Sequence, residues 1–478
     1  MKYFLVHVAG RSAAERLLRL LAGLHLHRLV AILFRLLTRR MPSPTDKGGR
    51  KRYNVLMIDK DTFYEDVLAS LGTAPDVRVY VAHRVVVKSI AAAFLPPELD
   101  DNFYVSDDPR TVRAKQDYGA FLTAMWPYLS RLLPIDAVVS ANFGYYAERE
   151  FAGALEALGV PFLALHKENL KSPGRMDFFT DLYRSRRGPF TGRRILVYNE
   201  IERIVQTEAE VIAPDRVTIC GMPRLDRVHH WRQNEAPGVA NDIGRKQVLF
   251  FSFTLKTGLP QIRRKGRSGF TNLAEPMDDA VGRLSWDNLF RDSHRAIYRL
   301  AQQQPDIDVV IKTKPRARDY DPVIELLGEP STWPENLRLV SKGDPFGLMV
   351  AAHTVCGFNT TGLFEAITAG KAVVVPHFAE ALDPAYAPFI IDHEAAAGYA
   401  APGEDLTATL RASLEQHIQG LELSVETMAL LQKWTGHPDG KASERVRQAV
   451  SSAIDASRNR AAGGSGVECP HAMAVVRG

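Results

Sequence analysis

The stretch TVCGFNTTGLFEAITAGKAVVVP, residues 354–376, decides the fold. Apolar runs at its two ends flank a polar turn and a short helical pattern, so we predict a strand, a helix and a second strand. This order is typical of a parallel sheet. A helix that begins directly after a strand presents unpaired backbone N–H groups and the positive end of its dipole. The stretch therefore predicts an anion site where the helix begins.

The residues around this helix start fit such a site, but they also fit a simpler role. Hydroxyl, amide and glycine positions are suited to an anion, and an acid one turn later is suited to sugar or ribose hydroxyls. The alternative is that Asn359 or Thr360 only caps the helix, with the acid as its partner in a capping box. The candidate donor-binding residues here are Asn359, Thr360, Thr361, Gly362 and Glu365.

Strand and helix patterns alternate along the chain in two series, which predicts two tandem doubly wound Rossmann-like α/β domains. Ligands of such folds bind at the carboxyl ends of the strands. We place an acceptor domain at 53–228, a connection at 229–246 and a nucleotide-donor domain at 247–456. A basic helical segment at 1–40, a linker at 41–52 and a flexible tail at 457–478 complete the chain.

The front of the chain is basic and the rest is slightly acidic. Residues 1–52 contain twelve Lys and Arg and two Asp and Glu, whereas residues 53–478 contain 48 Lys and Arg and 53 Asp and Glu. This distribution argues against a nucleic-acid-binding body. Residues 12–40 are rich in Leu but too interrupted by Arg to span a bilayer. They predict amphipathic helices, divided at Gly23, that lie on the anionic inner leaflet or dock on the protein itself.

Other strand ends supply the remaining candidates. In DVVIKTKP, residues 308–315, Lys312 and Lys314 stand at alternate positions and would face a phosphate from one side of a strand. In ALHKENL, residues 164–170, His166 or Glu168 leaves a buried-looking strand and is the candidate general base. Three distant cysteines and no convincing acidic pair predict neither a disulfide framework nor a metal site.

Three segments together resemble the GT-B superfamily of nucleotide-sugar transferases, and most closely its bacterial capsule and surface-polysaccharide members, including glycerophosphate- and Kdo-transferring relatives. They are VTICGMPRLD (217–226), VVIKTKP (309–315) and SKGDPFGLMVAAHTVCGFNTTGLFEAITAGKAVVVP (341–376).

This resemblance implies that Thr360, Thr361 and Gly362 hold the donor's diphosphate and that Glu365 binds its sugar or ribose. It further implies that Lys312 or Lys314 neutralises phosphate and that Arg224 reaches the cleft from the hinge between the domains.

The predicted function is transfer of a sugar or polyol phosphate from a nucleotide sugar or CDP-polyol to a glycan or lipid-linked acceptor. We expect no cofactor beyond the nucleotide-activated donor, and a cytoplasmic location peripheral to the inner membrane. Two alternatives stay open: a sugar-nucleotide 2-epimerase of the same architecture, and a non-catalytic scaffold subunit of a polysaccharide assembly complex.

Overall fold

The computed structural model describes residues 9–42, 52–60, 63–235, 245–261, 263–265, 272–274, 280–400, 406–415 and 422–463. The described chain forms two α/β domains, each built on a mostly parallel sheet, as the alternation of patterns predicts. Among the described residues, no helix is both long and apolar enough to cross a bilayer.

The first domain has a seven-stranded sheet of order β1-β3-β2-β4-β5-β6-β7, parallel except for β1. Its elements are α1 (Ala9–Gly23), α2 (His27–Leu36), β1 (Thr38–Arg40), β2 (Tyr53–Asp59), α3 (Tyr64–Val67), β3 (Val77–His83), α4 (Arg84–Ala91), α5 (Pro109–Leu132), β4 (Ala137–Ser140), α6 (Tyr146–Ala157), β5 (Phe162–Leu165), α7 (Pro173–Leu182), β6 (Arg194–Val197), α8 (Glu200–Glu208) and β7 (Val217–Ile219).

The second domain has a parallel six-stranded sheet of order β12-β11-β8-β13-β14-β15. The remaining elements are α9 (Asp226–Asn234), β8 (Gln247–Phe251), β9 (Arg263–Lys265), β10 (Asn272–Ala274), α10 (Ala280–Arg283), α11 (Asp287–Gln303), β11 (Asp308–Lys312), α12 (Ala317–Leu327), β12 (Leu337–Val340), α13 (Pro345–Ala351), β13 (Thr354–Gly357), α14 (Thr361–Thr368), β14 (Ala372–Pro376), β15 (Gly398–Ala400), α15 (Leu406–Glu415), α16 (Val425–Thr435) and α17 (Ala442–Gly463).

Each sheet has a topological switch point, where strand order reverses and the following loops diverge. In the first sheet it lies between β2 and β4, and in the second between β8 and β13. Ligand crevices of open α/β sheets form at such points, outside the carboxyl ends of the strands. The helix predicted to bind an anion, α14, begins at the switch point of the second sheet.

Both faces of the first sheet are buried, because side chains alternate along each strand. Val55 and Met57 of β2 join one apolar cluster, and Leu56 and Ile58 join another on the opposite face. Such strands read as continuous apolar runs in the sequence. This property makes their positions predictable from the sequence.

The structure corrects the predicted boundaries at the C-terminal end. Helix α17 continues to Gly463, so the first residues of the predicted tail are helical, and 464–478 lie outside the described residues. Its residues Val446, Val450 and Ile454 pack in the core of the first domain beside Met57. The apolar stripe at every fourth position favours that packing. The chain thus returns from the second domain to cover the first.

Two further boundaries are corrected. Thr38–Arg40, placed in the helical segment, forms β1, and the N–H of Met41 donates to Val79 O at 2.9 Å, so 41–42 continue this pairing rather than a free linker. Part of the predicted connection is helix α9, whose Trp231 packs in the core of the second domain. In both places tertiary contacts decide the conformation. The rest of the linker and connection, 43–51 and 236–244, lies outside the described residues.

Candidate functional site between the domains

The start of α14 is a capped helix. The Thr360 hydroxyl accepts a hydrogen bond from Gly362 N at 3.3 Å, and Leu363 N donates to Thr360 O at 3.3 Å. The capping box considered above does not form, because the Glu365 carboxylate contacts Arg224 instead of the start of the helix. Thr360 therefore satisfies helix amides itself. Thr361 is a part-exposed residue at the first helical position, where the N–H has no acceptor within the helix, so this N–H stays a candidate anion donor.

Asn359 has a structural role that the sequence did not reveal. Its backbone is left-handed, with φ of 47°, a conformation that Asn tolerates better than most residues. Its side-chain amide donates to Phe389 O at 3.0 Å and accepts from Ile391 N at 2.9 Å. Both ends of this amide are occupied, so it ties two loops together. The prediction that Asn359 binds the donor directly is not supported by this placement.

Gly362 is explained by packing rather than by a ligand. A Cβ atom added at this position would lie 2.7 Å from the nearest ring carbon of Phe251, at the end of β8. The glycine lets α14 approach the neighbouring strand end closely. Gly362 could therefore contribute to a diphosphate site only through its backbone.

Two candidates that are far apart in sequence meet at the junction of the domains. The Arg224 guanidinium places Nε 3.3 Å from Glu365 Oε1 and Nη1 3.3 Å from Asp66 Oδ2. Asp66 also accepts a hydrogen bond of 2.7 Å from the Tyr198 hydroxyl. Asp66 and Tyr198 belong to the first domain and Glu365 to the second. Arg224 thus links the carboxyl edges of both sheets.

Burial and charge act in opposite directions within this group. Burial raises the pKa of the Glu365 carboxyl above its ordinary value, and the Arg224 charge opposes that rise. For the Arg224 guanidinium, burial lowers the pKa, but Tyr198, Asp66 and Glu365 outweigh it and raise the pKa further. Arg224 is therefore a permanent cation that two carboxylates hold in place.

The two strand-end lysines do not face one side as predicted. Strand β11 ends at Lys312, so the alternation does not extend to Lys314. Lys312 is buried, its ammonium donates to Thr313 O at 2.7 Å and Ser341 O at 3.3 Å, and burial lowers its pKa. Lys314 is exposed beyond the strand end. The Lys312 ammonium thus binds backbone carbonyls, and Lys314 remains a candidate for phosphate binding.

The candidate base His166 lies in the interior. It is fully buried, its Nε2 is 3.1 Å from Glu202 Oε1, and Glu202 also pairs with the buried Lys171. Phe143 packs beside the imidazole, with 5.5 Å between ring centroids. A group enclosed in this way does not reach a substrate in the cleft. The catalytic prediction for His166 is therefore not supported by its placement.

Glu168, two residues later, is open to solvent. Crowding by protein atoms raises the pKa of its carboxyl, but positive charges, first Lys60 and then Arg187, outweigh this effect and hold the pKa at about 2. Glu168 is thus a permanently charged carboxylate at neutral pH.

Lys60 and Tyr145 are neighbours of Glu168 that sequence reasoning missed. The Lys60 ammonium donates to the Tyr145 hydroxyl at 2.8 Å. The guanidinium of the buried Arg84 stacks 3.6 Å from the centroid of the Tyr145 ring, and Asp101 and Glu148 hold it there. Burial raises the pKa of the Tyr145 phenol, and the Glu168 charge adds to the rise. Lys60 follows β2 and Tyr145 follows β4, so both border the switch point of the first sheet.

Lys167 connects the two groups of charges. Burial lowers the pKa of its ammonium, Glu168 and Asp66 oppose that shift, and Arg224 and Arg316 add to it. These charges come from both domains, since Arg316 immediately precedes α12. The Arg224 group and the Glu168 group therefore border one cleft.

The cleft has few other candidates among the described residues. In the cationic segment 256–267, the Lys256 ammonium donates to backbone carbonyls of Gly282 and Leu284. Arg267 lies outside the described residues. Within the described ranges, no group of three or more His, Cys, Asp or Glu is arranged to hold a metal ion. The expectation that the donor needs no metal stays a prediction.

No protein-family model matches the chain, and no curated protein matches it. Among solved structures it is similar to UDP-GlcNAc 2-epimerase from Neisseria meningitidis, bound to UDP-GlcNAc, with 14% identity over 84% of this chain and 99% of that chain and a TM-score of 0.43. It is also similar to the wall teichoic acid polymerase TagF, with 11% identity, 94% and 98% coverage and a TM-score of 0.45.

A third similar structure is trehalose 6-phosphate synthase from Burkholderia multivorans, with 12% identity, 86% and 99% coverage and a TM-score of 0.42. At these values the likenesses carry no argument about reaction or substrate.

Proposed function

We propose that the chain is a transferase of bacterial surface or capsular polysaccharide synthesis that uses a nucleotide sugar or CDP-polyol. The observation that supports this most is the meeting of Arg224 and Glu365 at 3.3 Å. They come from two motifs of the resemblance, and they lie at the crevice where ligands of this fold class bind.

In this proposal the donor's diphosphate lies at the start of α14. The Thr361 N–H and the helix dipole favour negative charge there, each such contribution being about 0.3–1 kcal/mol at an exposed site. Arg224 supplies a fixed positive charge for the departing phosphate oxygen. The bond between that oxygen and the transferred group breaks, and the nucleotide leaves with the electron pair.

The acceptor hydroxyl would approach from the first domain, where Glu168 is open to solvent. Its oxygen forms the new bond and its proton passes to the Glu168 carboxylate. A carboxylate with a pKa of about 2 is a weak base. A donor diphosphate near Lys167 and Arg224 would add negative charge to the cleft and raise that pKa. Bound donor would therefore prepare Glu168 for the acceptor.

The rival epimerase needs carboxylates for both elimination and re-addition. Of the three cleft carboxylates described above, Asp66 and Glu365 are held by Arg224, and Glu168 is the exposed one. One exposed carboxylate is sufficient for a single proton transfer to the enzyme, whereas an epimerase would need a set of carboxylates. Incubation with UDP-GlcNAc alone separates the two: an epimerised sugar supports the rival, and product that forms only with acceptor supports transfer.

A direct test is a thermal-shift screen against CDP, UDP, GDP and CMP, followed by transfer assays with the matching donors. A ligand at 100 times its dissociation constant stabilises the folded state by about 2.7 kcal/mol. Stabilisation by one nucleoside diphosphate supports the proposal. If nothing in the screen binds, the transferase is rejected and the non-catalytic scaffold is favoured.

A further inference from the structure

The helices α1 and α2 carry an exposed apolar ridge. Thirteen large apolar residues are exposed in the described part of the chain, and seven of them lie between residues 17 and 36. They are Leu17, Leu20, Leu24, Leu26, Leu29, Ile32 and Leu36. The first three recur at spacings of three and four, as do the last four, so the members of each set share a side.

The opposite side of the same two helices is part of the domain core. Leu18 and Ala22 of α1, and Val30 and Phe34 of α2, are buried in one cluster with residues of the sheet. Helix α1 packs on α4 and α2 packs on α5. The pair is therefore a docked part of the first domain, and its apolar ridge is a separate, outward surface.

The basic side chains of the two helices flank this ridge. Arg16, Arg19, Arg28 and Arg35 are exposed on the two helices, and Glu15 is the one acid in residues 12–40. A second copy of the chain placed ridge to ridge would bring these arginines together, which is unfavourable. Anionic headgroups above apolar lipid chains complement both features.

We propose that the ridge of α1 and α2 docks on the surface of a bilayer that contains anionic lipid, with the leucines in the headgroup layer. This surface is built into the fold and is not a detachable anchor. Helix α1 packs on α4, which begins where β3 ends, at the carboxyl edge of the first sheet. Docking would therefore hold the carboxyl edge of the first sheet at a fixed orientation to the membrane. The inference is independent of the transferase proposal.

The test is co-sedimentation of the full chain with vesicles of phosphatidylcholine alone or of phosphatidylcholine mixed with the anionic lipid phosphatidylglycerol. We expect stronger binding to the anionic vesicles. Leu20→Ser with Leu29→Ser should weaken binding to them about tenfold or more. Arg19→Glu with Arg35→Glu should remove the preference for anionic lipid.

The matched control is Leu382→Ser with Val425→Ser, which changes two exposed apolar residues outside the ridge and should leave binding unchanged. Thermal unfolding shows whether each variant is folded, and the nucleotide screen gives a readout that the ridge does not affect. Equal vesicle binding by folded wild-type and ridge variants would overturn the proposal. So would a dimer in light scattering that the ridge variants convert to a monomer without any vesicle binding by the wild type.

Discussion

The two edges of the cleft are built differently. At the second domain, the edge consists of a capped helix start, where Asn359 and Gly362 serve packing and Lys312 bonds backbone carbonyls. At the first domain, the edge is formed by charged side chains, with Lys60 and Glu168 beside the switch point. In the proposed transferase, main-chain donors and Arg224 would recognise the donor, and charged side chains the acceptor. Substitutions at the two edges should therefore separate donor binding from acceptor use.

The largest effect is expected for Arg224→Met, which removes the link between the edges. It leaves Asp66, which is fully buried, without its cation, and breaking such a buried pair costs about 3–5 kcal/mol. We expect a lower free energy of unfolding in urea and loss of transfer activity. The control is Arg227→Met, whose pair with Asp344 is half exposed and contributes about 0–1 kcal/mol. Equal stability of the two variants would contradict the role given to Arg224.

Glu168→Gln tests the acceptor edge alone. We expect kcat to fall by about 10²–10⁴-fold, the usual contribution of a general base, with unchanged nucleotide affinity by calorimetry. Glu200→Gln, at an exposed glutamate paired with Arg203, is the control. A variant that keeps its kcat but loses nucleotide binding would reverse the assignment of the two edges.

The pH dependence distinguishes Glu168 from a histidine base. The pKa of Glu168 lies below its ordinary value, at about 2, so the carboxylate persists as the pH falls. We expect no fall in kcat/KM from this group between pH 8 and about 5, because kcat/KM reports groups of the free enzyme. A histidine base would give a tenfold fall per pH unit below about 6.5. Such a fall would support His166, instead of Glu168, as the general base.

The smallest effect is expected for Tyr145→Phe, which removes the acceptor of the Lys60 hydrogen bond. The net contribution of one such bond is about 0.5–1.5 kcal/mol, so KM for the acceptor should rise about twofold to tenfold. Tyr128→Phe on α5 is the control. If Tyr145→Phe instead changes donor affinity and leaves acceptor KM unchanged, Lys60 belongs to the donor edge.

The sequence was sufficient for most of the fold, because buried strands are continuous apolar runs. Within the two large sheets it missed β1, whose sequence TRR is held by pairing with β3, and β15, whose sequence GYA is not an apolar run. Both are edge strands, which pair on one side and need less apolar sequence.

The site was predicted less fully, because roles depend on distant partners. Gly362 packs close to Phe251, and the Asn359 amide donates to Phe389 O. Neither contact can be inferred from the local motif. Lys60 and Tyr145 follow strands at a switch point, which is a usable signal only once strand order is known. Arg224 became a candidate only through the resemblance, whereas the local pattern at the helix start already suggested Glu365.

The most direct test of the account is nucleoside diphosphate binding by Thr361→Pro and Thr361→Ala, measured by calorimetry. Proline is favoured at the first position of a helix, and Thr360 before it is extended, with φ of −128° and ψ of 146°, as a residue before proline prefers. Thr361→Pro therefore removes the N–H while keeping the helix, whereas Thr361→Ala removes the hydroxyl and the methyl group but keeps the N–H.

A hydrogen bond to a charged group contributes about 1.5–3 kcal/mol, so the proline variant should bind at least about tenfold more weakly than the alanine variant. Equal affinity of the two folded variants would contradict the claim that the start of α14 holds the diphosphate.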